Sequence, residues 1–377
     1  MIKNYLLTPG PTPIPPRVLE TMARPIIHHR TPEFQKIIQE VEEDLKYVYQ
    51  TKNEVLIFAA SGTGAMEGSV ANLLSPGDRA IVVRGGKFGE RFGEICKAYG
   101  IEFTAIDVEW GKAVDPKKID DILKKDKLIK AVYTTLCETS TGVATDIEAV
   151  GKVLKNYEAA LVVDAISGLA ATPIKTDEWG VDVCVSGSQK GLMIPPGLAF
   201  VSVSSKAWAL IEKSTLPKYY FDFKAYKKAL TKTDTPFTPA VNLVIALREA
   251  LKIIKEEGLD IIFDRHKKMA FSVRSAVKAM GLELFSPDAY SDGVTAVKVP
   301  QGIDGEKLVK TMRDKYGVGI AGGQDEMKGK IFRIATMGYI TPSDLIVCLA
   351  TLETALSEMG YKFQLGSGVR ALEETLK

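Results

Sequence analysis

The chain has 377 residues, of which 46% are hydrophobic and 25% charged, with a formal net charge of +2. That length suits two domains rather than one core, and the near-neutral balance offers no electrostatic attraction for nucleic acid or an acidic membrane. Cys96, Cys137, Cys184 and Cys348 stand far apart with no CxxC and no histidine at metal spacing, a pattern of reduced, buried thiols. With no bilayer-length apolar stretch and no signal-peptide pattern, the expectation is a soluble cytoplasmic protein that engages neither membrane nor nucleic acid.

Residues 1–16 read as an extended N-terminal arm, because their prolines and Gly10 preclude a helix. Phe34, Ile37, Ile38, Val41, Leu45 and Val48 recur at helical spacing through 33–49. Short β-rich runs then alternate with helical patterns. Strands are predicted at 54–61, 79–84, 128–136, 160–166, 181–187 and 198–204, with helices following the first two and at 147–157. Continuous Val/Ile strands alternating with helices predict an α/β unit with a mainly parallel sheet. Residues 214–240 are basic, aromatic and punctuated by proline, and read as a long functional loop. A helix is predicted at 241–258. A change of texture near 260 predicts an α+β unit with helices around 260–280, 305–316 and 342–359 and strands near 282–285, 294–299 and 330–336. The expected division is an arm at 1–16, a large domain at 17–259 and a smaller C-terminal domain at 260–377.

Five places carry candidate chemistry. Ser61-Gly62-Thr63-Gly64 lies between a strand and a helix, where backbone N–H groups and the helix dipole suit a phosphate, and where an ordinary N-cap also fits. Phe88, at the next strand-to-helix junction, could stack on a planar ring or anchor the helix in the core. Glu138-Thr139-Ser140-Thr141-Gly142 offers hydroxyls for a ring substituent, or a helix cap or turn. Asp164 ends the apolar run ALVVDAI, and Lys190 follows 26 residues later in SGSQKGLMIPPG. A buried carboxylate needs a partner, and this spacing favours a cationic ring nitrogen. An amine and a carboxylate so placed are what pyridoxal phosphate needs: the lysine forms the Schiff base and the aspartate keeps the pyridine nitrogen protonated. Ser188 and Gln189, just before the lysine, are in reach of the same group. Arg333, inside the apolar strand of GKIFRIATMGY, matches a substrate α-carboxylate, with a structural ion pair as the alternative.

Taken in order, LLTPGPTPIPPRVL, SGTGAMEG, FGERFG, CETSTGV, VVDAISG, SGSQKGLMIPPG and the ALREAL helix resemble the class V aminotransferases, in particular the alanine–glyoxylate and serine–pyruvate group. The likeness runs almost end to end. It implies the type I pyridoxal phosphate fold with a seven-stranded sheet, and a homodimer with shared active sites. By resemblance Lys190 is the Schiff-base lysine and Asp164 the pyridinium partner. Ser61, Gly62, Thr63 and Gln189 look like phosphate ligands. Thr139 is similar to the residue beside the ring hydroxyl, Ile166 packs on the ring, and Phe88 stacks where some relatives carry Trp. Thr235 and Thr238 match the segment that reaches the phosphate from the neighbouring subunit, and Arg333 the substrate-carboxylate arginine. The implied activity is ping-pong transfer of an amino group from alanine or serine to glyoxylate or pyruvate.

Other readings stay open. Phosphoserine or aminophosphonate transamination would need a second cationic site, for which Lys224, Lys227 and Lys228 are available. Cysteine desulfurase chemistry would need a mobile nucleophilic cysteine, whereas Cys348 falls in a helical pattern and Gln189 stands where desulfurases usually carry histidine. A non-catalytic subunit would not require Lys190, Asp164 and Arg333 all to be present. A nicotinamide dehydrogenase would need GxGxxG after the first strand, which GTGAME does not supply.

Overall fold

A computed structural model describes residues 3–377. At its centre lies a seven-stranded sheet of β1 (Val55–Phe58), β2 (Arg79–Arg84), β3 (Glu102–Asp107), β4 (Ile129–Thr135), β5 (Ala160–Asp164), β6 (Val183–Gly187) and β7 (Ala199–Val203). Their spatial order is β1-β7-β6-β5-β4-β2-β3. β7 is antiparallel to both its neighbours, and all other pairings are parallel. The inner strands β5, β6 and β7 are buried along their whole length, which explains their unbroken Val/Ile character. β3 was not among the predicted strands. It is an edge strand with Glu102 and Thr104 exposed, so it lacks an apolar run.

Helices cover both faces. On one lie α1 (Pro32–Tyr49) and, later in the chain, the long helix at 241–257; on the other lie α2 (Gly62–Leu73) and α3 (Lys87–Ala98). The loop expected at 214–240 is corrected: it contains α4 (Phe223–Leu230), whose cap Asp222 accepts a bond from Lys224 N at 3.1 Å. Pro217, Pro236 and Pro239 all lie outside that helix, so the prolines misled only about its middle. Phe223 and Tyr226 are buried against Phe58. The helix at 241–257 is α5 (Val241–Glu257), and Gly258 separates it from α6 (Leu259–Ala279).

Beyond α6, β8 (Val294–Lys298), β9 (Ala321–Gly322) and β10 (Ile331–Ala335) form an antiparallel sheet with β10 in the middle. It shares a core with α6, α7 (Gly305–Tyr316) and α8 (Pro342–Glu358). The strand expected at 282–285 shrinks to one bridge, Leu284 to Val297. A last helix, α9 (Ser367–Leu376), packs along α6 and was not foreseen. The arm is not free: Tyr5 and Leu6 pair with Val318 and Gly319, and Leu7 is buried in this second core. No helix among the described residues is long and apolar enough to cross a membrane.

Asp182, just before β6, ties the amino ends of β5 and β6 to the carboxyl end of the antiparallel β7. It accepts bonds from Leu161 N at 2.9 Å and Ser204 Oγ at 2.8 Å, and it pairs with Lys206 Nζ at 3.2 Å. Replacing it with Ala leaves a buried N–H unmatched. Asp182→Ala should therefore lower unfolding stability by roughly 2–4 kcal/mol. Urea denaturation would measure this. Turnover should be little changed, because the substitution lies at the edge of the sheet opposite Lys190.

Candidate active site

The parallel strands all end on one edge of the sheet, where α/β proteins bind ligands. The turns after β1, β2, β4, β5 and β6 put Ser61–Thr63, Phe88, Thr139, Asp164 and Lys190 on that edge. Asp164 is 4% exposed and accepts a bond from Ile166 N at 2.8 Å. Among the described residues it has no ion-pair partner. Burial raises its pKa to about 7, and the charge of Glu138 pushes the same way, against the pull of Arg91 and Lys190.

Lys190 is lowered to about 8, mainly by burial. Arg333 and Arg91 add to the lowering, whereas Cys137 and Asp164 oppose it. Its Nζ donates to Pro9 O, and its own carbonyl accepts from Thr12 Oγ1 at 2.9 Å. The amine thus lies beneath the extended arm, a contact that the sequence did not indicate.

The start of α2 comes down onto Ile166. A Cβ on Gly62 would lie 2.5 Å from Ile166 Cδ1, so a larger residue here would have to displace the Ile166 side chain. Ser61 is the N-cap but makes no side-chain capping bond, which leaves its hydroxyl free for another acceptor or donor. Gln189, adjoining the lysine, has its Oε1 buried without a hydrogen-bond partner. Thr63 Oγ1 accepts from Arg91 Nη1 at 3.3 Å. Arg91 also covers the ring of Phe88, 4.9 Å from guanidinium carbon to centroid. Phe88 is only partly buried, and the core position in this helix belongs to Phe92.

Thr139 is buried and donates through Oγ1 to Ser167 Oγ at 2.6 Å. Beside it, the Glu138 carboxylate accepts from Phe88 N at 3.1 Å, Gly89 N at 2.9 Å and Ser140 Oγ at 2.5 Å. It caps α3, whose local N-cap Gly86 has no side chain to do so. Arg333 is 5% exposed and bonds only main-chain carbonyls: Gly322 O at 2.6 and 3.0 Å, and Thr139 O at 2.8 Å. Among the described residues no carboxylate pairs with it, so the structural ion pair is absent. Burial lowers its pKa to about 10.

These contacts gather Ser61, Gly62, Thr63, Phe88, Thr139, Asp164, Ile166, Gln189, Lys190 and Arg333 into one group. Thr235 and Thr238 are not part of it within this chain. Thr235 Oγ1 donates to Phe237 O at 2.7 Å, and both threonines lie with Tyr220, Phe237 and Pro239. Sequence reasoning missed Arg91, although its place one helical turn after Phe88 was visible. It also missed the capping function of Glu138 and the arm contacts, which are long-range. A surface cleft of about 980 Å³ between Glu43 and Ile261 contains none of these residues.

The residues fit pyridoxal phosphate by chemistry: a buried carboxylate that lacks a cation among the described residues, and a free N-cap hydroxyl at a helix start. The comparisons agree. The chain belongs to the class V aminotransferases, whose family model matches residues 4–341, and it is an enzyme of that class. This is a pyridoxal-phosphate-dependent family acting on amino acids and 2-oxo acids. A Synechococcus protein named "Soluble hydrogenase, small subunit" is 45% identical over 99% of this chain and 98% of its own. The serine–glyoxylate aminotransferase of Hyphomicrobium methylovorum is 40% identical, covering 99% and 94%. The crystal structure of ureidoglycine–glyoxylate aminotransferase from Bacillus subtilis superposes with a TM-score of 0.96 at 31% identity, covering 100% and 98%.

Asp164 gives a pH test. Between its ordinary value of 3.8 and about 7, the folded chain keeps a proton that the unfolded chain has lost. Stability therefore falls as pH rises through that window. In the cofactor-free chain, Asp164→Asn should reduce the fall between pH 4 and 7.5 by roughly 1–4 kcal/mol. Urea titrations at the two pH values would measure it, and an unchanged slope would remove the argument for an uncompensated carboxylate.

Proposed function

We propose that this chain transfers the amino group of a small amino acid, alanine or serine, to glyoxylate or pyruvate, with pyridoxal phosphate bound at the Lys190–Asp164 group. The observation that carries the reading is Arg333: a buried guanidinium with no acid partner, close enough to Lys190 to lower its pKa. An α-carboxylate is the planar anion that would complete it. Glyoxylate is the acceptor in the printed names of both aminotransferases described above, which supports it here.

In this reading Asp164 would pair with the ring nitrogen. Ser61, Thr63, the N–H of Gly62 and Gln189 would hold the phosphate, Phe88 and Ile166 would pack on the ring, and Thr139 would serve the ring hydroxyl. Thr235 and Thr238, which lie apart from this group within their own chain, would reach the phosphate of a second copy in a homodimer. When bound, pyridoxal phosphate supplies a carbonyl carbon for the amino group and an electron-accepting ring. Arg333 fixes the substrate carboxylate and so sets which Cα bond faces Lys190. With a pKa of about 8, the Lys190 amine is partly unprotonated near neutrality and can take the α-proton on Nζ and return it.

Two of the three lysines named for a second anion-binding site are engaged elsewhere. Lys224 pairs with Glu212 at 3.2 Å, and Lys227 lies over the ring of Trp208 at 4.0 Å. Cys348 is fully buried in α8 with its pKa pushed up to about 12, which suits no desulfurase nucleophile.

The first test is the visible spectrum of the purified chain with pyridoxal phosphate. A band that fades on adding L-alanine or L-serine and returns with glyoxylate is expected, and Lys190→Ala should abolish turnover. A band indifferent to both donors would remove the donor assignment. Arg333→Ala should keep the band while raising the donor KM on the order of a hundredfold, because a bidentate carboxylate contact is lost. Steady-state kinetics would separate that from a loss of kcat.

A further inference from the structure

The arm links the two charged ends of the site. Its first part is fixed to the second sheet: Leu7 N donates to Gly319 O at 2.8 Å, and Ala335 N donates to Leu7 O at 2.9 Å. Ala335 is the last residue of β10, the strand that carries Arg333. Its next part is fixed to the lysine segment. Thr12 N donates to Gln189 O at 3.2 Å, Thr12 Oγ1 donates to Lys190 O at 2.9 Å, and Pro9 O accepts from Lys190 Nζ. Thr12 is 3% exposed. Gly10 has a φ of +120°, and a Cβ on it would lie 2.2 Å from Nζ and 2.4 Å from Cε. The loop after β10 closes on the same pair, since a Cβ on Gly338 would lie 3.2 Å from Thr12 Oγ1 and 3.3 Å from Lys190 O.

We propose that Pro9–Thr12 is the positioning element of the reacting lysine. The Pro9 carbonyl receives the Lys190 amine whenever that nitrogen is free, and Thr12 fixes the main chain from which the amine swings. The proposal rests on the reading that Lys190 is the residue that bonds the cofactor. In any such cycle the amine leaves and returns, and in between it is a buried donor on a flexible four-carbon stem. Asp164 does not hold it, because no ion pair joins the two. The groups facing it are Asp164, Cys137, Arg333, Arg91 and the arm carbonyl, and the carbonyl is the one that it hydrogen-bonds. An N–H placed on Pro9 O removes most of the rotational freedom of the amine, and positioned groups react faster for that reason. Because the strap is also bonded to β10, it sets the spacing between this amine and the Arg333 guanidinium.

The test uses the full chain with Thr12→Val, Thr12→Ser and Gly10→Ala, and it reads three quantities. These are the second-order rate at which the cofactor-free chain gains its visible band with pyridoxal phosphate, the split between kcat and KM, and the melting temperature. Thr12→Val keeps the side-chain shape and loses the bond to Lys190 O. It should slow loading and lower kcat about tenfold each, with KM for the donor within about threefold and melting little changed. Thr12→Ser should restore both rates. Gly10→Ala should do at least as much damage as Thr12→Val, and if it fails to fold the threonine pair decides alone. Parental loading and kcat in Thr12→Val overturn the proposal. So does a loss that Thr12→Ser fails to repair, or one confined to KM. A parent chain that gains no band, or a Lys190→Ala chain that gains the same one, overturns the assignment of Lys190 and the strap with it. Failure of the Thr12 variants to respond, in a parent that loads normally, overturns the strap alone.

Discussion

The site is organised round charges that the chain buries without neutralising. Among the described residues Asp164 has one main-chain donor and no paired cation, and Arg333 has three bonds to carbonyls and no paired anion. Each is costly in isolation, because a buried ion without a counter-ion forfeits its hydration. A chain selected for stability alone would have paired them with one another or replaced them with apolar side chains. Their separation instead leaves room for a ligand that brings a cation to one and an anion to the other, as an amino acid joined to a protonated pyridine ring does.

The fold makes that separation rigid. Asp164 closes one of the fully buried strands of the large sheet, and its main chain is held by β4 and β6 on either side. Arg333 sits in the middle strand of the smaller sheet and reaches Thr139, which follows β4. The guanidinium therefore spans the two sheets, and its bond to Thr139 O places it beside the turn that Glu138 anchors. Glu138 fixes the start of α3 as well, so Phe88, Arg91 and Arg333 are all referred to one short segment, residues 138–140.

How much of this could be read in the sequence follows from the range of the contacts. Ser61–Thr63, Phe88, Asp164 and Lys190 lie at strand ends, and strand ends are local features of apolar runs and glycine turns. The six predicted strands of the large sheet all formed for the same reason. β3 escaped because an edge strand does not need to be apolar on both sides. α4 escaped because its punctuating prolines flank it. The capping by Glu138, the tether of Leu7 to Ala335 and the contact of Pro9 with Lys190 join residues that are 49 to 328 positions apart. No periodicity or spacing records them.

The same distinction bears on which chemistry the site selects. The cofactor-facing groups are set by motifs, but the donor is selected by whatever surrounds Arg333 and Lys190, and those neighbours are Gly322, Thr139 and the arm. Main-chain carbonyls on the guanidinium leave its remaining donors directed at a carboxylate while offering nothing that recognises a side chain. A charged donor side chain would need a further cation, and Lys224 and Lys227 are engaged elsewhere. Arg91, held over Phe88 and bonded to Thr63, is the remaining guanidinium near the lysine, and its bond to Thr63 places it toward the start of α2. A small, uncharged side chain on the donor is what this arrangement accommodates without leaving a buried group unmatched.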